Sequence, residues 1–180
     1  MTDELRKAMR SFATGVCAVA TCTDDSGTPR HDALTVTTLT SVSLEPPLVS
    51  LCLPRDSSFL AGLLAAGGWA VSILDAAAHE AAQDLAGEAA VRAAALERLD
   101  TTPGEHTGAL VLTRALGWME CALRDHFDAG DRTVVIGEVL ATGARQPEPP
   151  LIYLYGTYHT GSGQRPVIPA AHPVSAADPR

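Results

Sequence analysis

Leu5, Ala8, Met9 and Phe12 recur at helical spacing behind an acidic first turn, a pattern that predicts an amphipathic helix over residues 3–13, stopped at Gly15. The period then shortens. VCAVATCT, residues 16–23, is a run of small and branched apolar residues followed by the turn chemistry of DDSGTP and a second extended run from about Ala33, which together predict a hairpin. LVSLCL reads as a buried strand, SSFLAGLLAAG as a helix capped by Ser57 or Ser58 and ended by glycine, and WAVSIL as another strand. Residues 76–99 are alanine-rich and helical, with an interruption near Gly87. After TTPGEHTG the pattern is extended again in GALVL, LGWMECAL, TVVIGEVLAT and LIYLYGTYH, separated by DAGD and GARQPEPP.

Strands therefore outnumber helices, and several are joined by short hairpin-like links instead of helical crossovers. The fold expected is mainly β with peripheral helices: a mostly antiparallel sheet closed into a barrel. It occupies residues 1–160 as one domain. A tail over 161–180 carries four prolines and few apolar residues, which suits either disorder or an arm laid on another subunit.

Composition narrows the partners. With 180 residues, 46% of them hydrophobic, the chain buries a core without staples. Its net charge of -8 and 13 scattered basic residues leave no stripe for a phosphate backbone, so nucleic acid is excluded as a partner. Cys17, Cys22, Cys52 and Cys121 form no CxxC pair and sit in apolar runs, as reduced thiols of a cytoplasmic protein do. The histidines are not spaced with them for zinc, so no metal is expected. No window approaches a membrane span.

The familiar catalytic signatures are absent: there is no phosphate-cradling GxxxxGK[ST], no GxGxxG after a strand, no GxSxG and no HExxH. Asp24 and Asp25, and Asp125 and Asp128, flank turns and read as solvated loop residues; His31 and His126 read first as polar surface. No residue is singled out as a certain acid, base or nucleophile. What stands out is TVTTLTSVSLEPPLVSLC, residues 35–52. Six hydroxyls fall within positions 35–43, on both faces of a period-2 pattern, before Glu45-Pro46-Pro47 turns the chain into an apolar strand. Strand propensity explains threonine on one face; hydroxyls on both faces point to a cavity lining for a neutral, hydrogen-bond-rich planar ligand.

FATGVCAVAT, TVTTLTSVSLEPPLVSLCL, SSFLAGLLAAGGWAVSIL, AGDRTVVIGEV and PLIYLYGTYH, in that order, resemble the flavin reductase family with the FMN-binding split-barrel fold. The resemblance implies NAD(P)H-dependent reduction of FMN or FAD, a homodimer, and a partner monooxygenase that receives the reduced flavin. It further implies that Thr37, Thr38, Leu39, Thr40, Ser41, Val42 and Ser43 wrap the isoalloxazine ring, and that Arg55, Ser57 and Ser58 meet the flavin phosphate. For the last pair, the helix N-terminus supplies the physical reason, while plain N-capping explains the serines equally well. Asp131, Arg132 and Tyr158 are implied on the nicotinamide side.

The chain departs from the family at two places. Where members commonly carry Gly-Asp-His, it reads Gly130, Asp131, Arg132; arginine donates no proton near neutral pH but its fork binds a ribose, a carboxamide or a phosphate. His31, Asp32 and Ala33 stand where members often have glycine and a small residue. The alternative reading is a flavin-binding protein on the same barrel without nicotinamide-dependent turnover, supported by the change at Arg132.

Overall fold

The computed structural model describes residues 1–145 and 148–161; the tail from residue 162 lies outside the described residues. The elements are, in chain order, α1 (Thr2–Arg10), β1 (Thr14–Gly15), β2 (Cys17–Asp25), β3 (Thr28–Val36), β4 (Thr40–Leu44), β5 (Pro47–Pro54), α2 (Ser58–Ala66), β6 (Gly68–Ile73), α3 (His79–Leu85), α4 (Ala89–Leu96), β7 (Thr101–Pro103), β8 (Leu110–Leu112), β9 (Gly117–Ala129), β10 (Arg132–Ala144), β11 (Leu151–Leu154) and β12 (Thr157–Thr160). No helix among the described residues is long and apolar enough to cross a membrane.

Seven strands form one antiparallel sheet in the order β3-β2-β6-β9-β10-β5-β4. β3 and β4 are consecutive in the chain yet lie at opposite edges of that sheet. Only residues 37–39 join them, and four Cα–Cα steps reach at most roughly 14 Å. The sheet must therefore curl until its edges nearly meet, without hydrogen bonds across the gap. The barrel is therefore split, as the resemblance implied, and the hydroxyl-rich segment spans the split.

Alternation explains why both faces are covered. On β2, Cys17 and Val19 point into one apolar cluster with Trp69, Val71, Leu51, Leu53, Val135 and the α2 residues Phe59, Leu60 and Leu63. Ala18 and Ala20 point the other way, with Ala70, Ala82, Leu85 and Ala95, where their small size lets α3 and α4 lie close to the sheet. β1, β11 and β12 form a separate three-stranded sheet, and β7 pairs β8.

Local chemistry fixes the ends. Ser57 Oγ accepts from the Leu60 N–H, and Gly67 closes α2 at φ 68°. Ser26 and Gly27, both at positive φ, make the two-residue turn of β2–β3, with Asp24 accepting the Gly27 N–H at 2.6 Å. Three expectations are corrected. The first helix ends at Arg10, capped by the Ser11 N–H, and Gly15 belongs to a strand. The second strand of the hairpin begins at Thr28, not near Ala33. LIYLYGTYH is not one strand but a hairpin, folded at Tyr155 and Gly156, both at positive φ; the Tyr155 N–H donates to Arg10 O at 2.8 Å and so straps α1 to the turn.

Candidate functional site

β5 is the strand on which the sequence-predicted residues gather. β4 pairs with it through Thr40↔Ser50 and Ser41↔Val49, and a bulge at Val42 shifts the register to Ser43↔Leu48. Past Thr40 the backbone ladder stops, and a side chain continues it: Thr38 Oγ1 accepts the Cys52 N–H at 3.0 Å and donates to Cys52 O at 3.2 Å. Other hydroxyls of the stretch are also engaged, Thr35 donating to Ala82 O at 2.8 Å and Ser43 accepting the Glu45 N–H at 3.2 Å. Thr37, Thr40 and Ser41 have no protein partner among the described residues, and Thr40, Ser41 and Val42 are exposed. Leu39 packs its side chain on the barrel core. The stretch is thus half scaffold and half open donor set.

At its far end β5 meets the turn of the longest hairpin. Pro54 pairs with Arg132, and the Arg55 N–H donates to Asp131 O at 3.2 Å. The Arg55 guanidinium lies against the same turn, 2.9 Å from Asp128 Oδ2 and 3.3 Å from Gly130 O. Asp128 is itself held by Thr133, whose hydroxyl donates to Oδ1 at 2.8 Å. Gly130, at φ 66°, makes this two-residue turn possible. Arg132 makes only a 3.7 Å approach to Asp131 and keeps half of its side chain exposed, so its fork is open to a ligand.

The first turn of α2 begins two residues after Arg55. Ser57 Oγ is used on the Leu60 N–H, which leaves the Ser58 and Phe59 N–H groups without an acceptor among the described residues. Free amides, the positive end of the helix and Arg55 together make an anion site at the same end of β5 where Thr38 is anchored. The open hydroxyls of Thr37, Thr40 and Ser41 and this anion site fit a flavin mononucleotide moiety, whose ring asks for hydrogen bonds and whose phosphate asks for amides and a cation.

Tyr158 stands apart from this group. It lies on β12, its ring 5.6 Å from that of Tyr153 and its hydroxyl 3.4 Å from Ala82 O, the carbonyl that Thr35 also uses. No hydrogen bond or ion pair joins it to Asp131 or Arg132 among the described residues. Burial pushes its phenol above the usual range, with Tyr153 adding to the effect. The unexpected Asp32 also has an account: both its oxygens bind Arg92, at 2.9 and 2.7 Å, and Oδ1 accepts its neighbour Ala33's N–H. It ties β3 to α4 and has its hydrogen bonds filled within the fold.

Asp128 and the amides of Ser58 and Phe59 carry no sequence signal beyond their neighbourhood to a turn or cap, so pattern reading misses them. Cys17 and Cys121 are held far from thiolate chemistry, each pushed up to about 12 by burial. No His/Cys/Asp/Glu cluster fit for a metal occurs among the described residues.

The chain has clear relatives among known proteins. Residues 9–162 match the family described as flavin reductase like domain. The NADH-dependent FAD reductase of Streptomyces globisporus is 35% identical over 147 residues, covering 80% of this chain and 76% of that protein. The reductase component of 4-hydroxyphenylacetate 3-monooxygenase from Thermus thermophilus is 30% identical over 88% of this chain and 95% of that one. Among solved structures, BorF, the flavin reductase component of a bacterial two-component tryptophan halogenase, aligns with a TM-score of 0.80 and 34% identity over 89% of this chain and 98% of its own.

Proposed function

The chain belongs to the flavin reductase-like domain family, and from that premise we propose that it is an NAD(P)H-dependent reductase of FMN or FAD whose reduced product passes to a separate monooxygenase. The observation that carries this reading is that open loop hydroxyls lie along β5 while the free α2 amides, Arg55 and Arg132 gather where that strand ends. Flavin and nicotinamide held by these residues would supply the hydride chemistry themselves, with no protein acid required for that transfer.

The chain's residues bind and orient. Thr37, Thr40 and Ser41, with the backbone of Leu39, Val42 and Ser43, offer hydrogen bonds to the ring edge, while Thr38 holds their loop against β5. Arg55 and the Ser58 and Phe59 amides take the phosphate, with Ser57 fixing the helix end. Arg132 stands at the mouth on the nicotinamide side, where it positions a ribose or phosphate without moving a proton.

A homodimer in the cytoplasm completes the proposal. α1 has no buried residue; Leu5 and Met9 are 62% and 54% exposed on it, and Phe12, just past its end, is 62% exposed, an apolar patch that a second copy would cover. Tyr158 would then join the site from a neighbouring subunit or serve only the β11–β12 fold.

Release of reduced flavin is the distinguishing property. Cytochrome c separated from the protein by a dialysis membrane should be reduced when NADH or NADPH and flavin are supplied. Reduction confined to the protein compartment would contradict delivery by diffusion.

A further inference from the structure

A cavity of about 450 Å³ opens between the β7–β8 hairpin and the halves of β9 and β10 that lie farthest from the Gly130 turn. Its volume falls in the range of small-molecule sites, which combine apolar walls with a few polar groups. Pro103, Val111, Leu112, Ala115, Trp118 and Ala141 make the walls. Its charged groups are Glu120, which is only 1% exposed, Glu105, and Arg145, whose guanidinium is engaged on Thr113 O at 2.8 Å.

Glu120 is engaged on one side only. Oε2 accepts the His106 N–H at 2.9 Å, the Thr107 N–H at 2.8 Å and the Thr107 hydroxyl at 2.8 Å. Oε1 accepts nothing among the described residues. Burial raises the pKa of this carboxyl, but the Thr107 and His106 donors and the nearby His106 charge outweigh it and hold the group below the usual carboxylate value. Glu120 is therefore ionised at neutral pH. No lysine or arginine pairs with it among the described residues.

Anchoring the β7–β8 turn explains Oε2 but not the charge. A glutamine carbonyl oxygen would accept the same three donors, so anchoring this turn does not require a second carboxylate oxygen open to the cavity. Gly104 adds to the case, because a methyl group on it would collide with the carboxylate oxygens. The chain thus keeps both a buried negative charge and the space beside it.

We propose that this cavity is a second ligand site, separate from the flavin cleft, for a small organic cation with a flat apolar body: a protonated aryl amine or amidine that pairs with Glu120 Oε1 and lays its ring along Trp118. The net charge of -8 favours the approach of such a cation.

Benzamidinium is the probe, titrated against the full chain and followed by tryptophan fluorescence and a crystal soak. Glu120→Gln keeps an acceptor for the three anchoring donors and presents an amide donor where Oε1 stood; Ala141→Leu fills the cavity and leaves Glu120 unchanged. The expected result is saturable binding to the wild type, at least about tenfold weaker in Glu120→Gln, as a charge-assisted hydrogen bond requires, and blocked in Ala141→Leu. Near-unchanged circular dichroism in both variants shows that they fold. No saturable binding at millimolar probe, equal affinity in Glu120→Gln, or competition by FMN or FAD would overturn the proposal. So would a crystal showing a side chain of a second copy filling the cavity.

Discussion

Replacing Asp32 tests whether that residue serves the fold or the ligand. Its partner Arg92 keeps 8% of its side chain exposed, and its guanidinium makes two bonds to Asp32 and one to Gly87 O at 3.1 Å. Asp32→Ala removes two of those three and leaves a cation with little access to water. Breaking a fully buried pair costs roughly 3–5 kcal/mol. Here the Asp32 side chain is 34% exposed, so water reaches one side, and about 2–3 kcal/mol is the better figure. For a domain of this size that lowers Tm by roughly 5–10 °C. The double change Asp32→Ala with Arg92→Met should recover part of the loss, because it removes the stranded charge. Urea unfolding with all three variants measures these differences. FMN affinity should be preserved at a temperature where Asp32→Ala is folded, because the carboxylate is already occupied. A stability within about 0.5 kcal/mol of wild type, or flavin binding lost in the folded variant, would refute the reasoning.

Other perturbations probe the site and the core. Ser41→Leu places a bulky apolar group among the open hydroxyls and removes one; FMN affinity by fluorescence titration should fall by more than tenfold while the Tm holds, since Ser41 is exposed and its hydroxyl has no protein partner among the described residues. Gly137→Ala would drive a methyl into the fully buried Trp69 and within 3.0 Å of Cys121 Cβ, and overpacking of this kind costs about 1–3 kcal/mol in denaturant unfolding. The Glu120 carboxyl titrates below its ordinary 4.5 in the folded state. Its stabilising effect is therefore complete above that pH and is lost as pH falls through the folded value, so the stability gap between wild type and Glu120→Gln should shrink on acidification; a constant gap would contradict the assignment. Light scattering at micromolar concentration should give twice the monomer mass, and Phe12→Asp, in the exposed apolar patch just past α1, should shift it toward the monomer.

Much of the fold was legible because short-range chemistry decided it. Ser57, Gly67 and the Ser26–Gly27 turn are local signals, and the structure uses each as pattern reading predicts. The length of β9 and β10 was not: their outer halves, around Arg124–Ala129, are exposed and polar, and pairing across the Gly130 turn extends them past the apolar core. Tyr155 at φ 54° hid a turn, since an aromatic residue rarely takes that conformation. The hydroxyl stretch announced itself as unusual, but its division between scaffold and open donors depends on partners far along the chain, Cys52 for Thr38 and Ala82 for Thr35. Asp32 illustrates the same limit, because Arg92 lies 60 residues away.

The most direct test of the account is anaerobic oxidation of NADH and of NADPH, followed at the nicotinamide absorbance band, with FMN and FAD added in turn to wild type and Ser41→Leu. The account predicts flavin-dependent turnover by the wild type and its loss in the folded variant. Flavin bound without turnover by the wild type would contradict reductase activity and make Arg132 the residue to examine, whereas equal turnover in both proteins would remove the hydroxyl loop from the site.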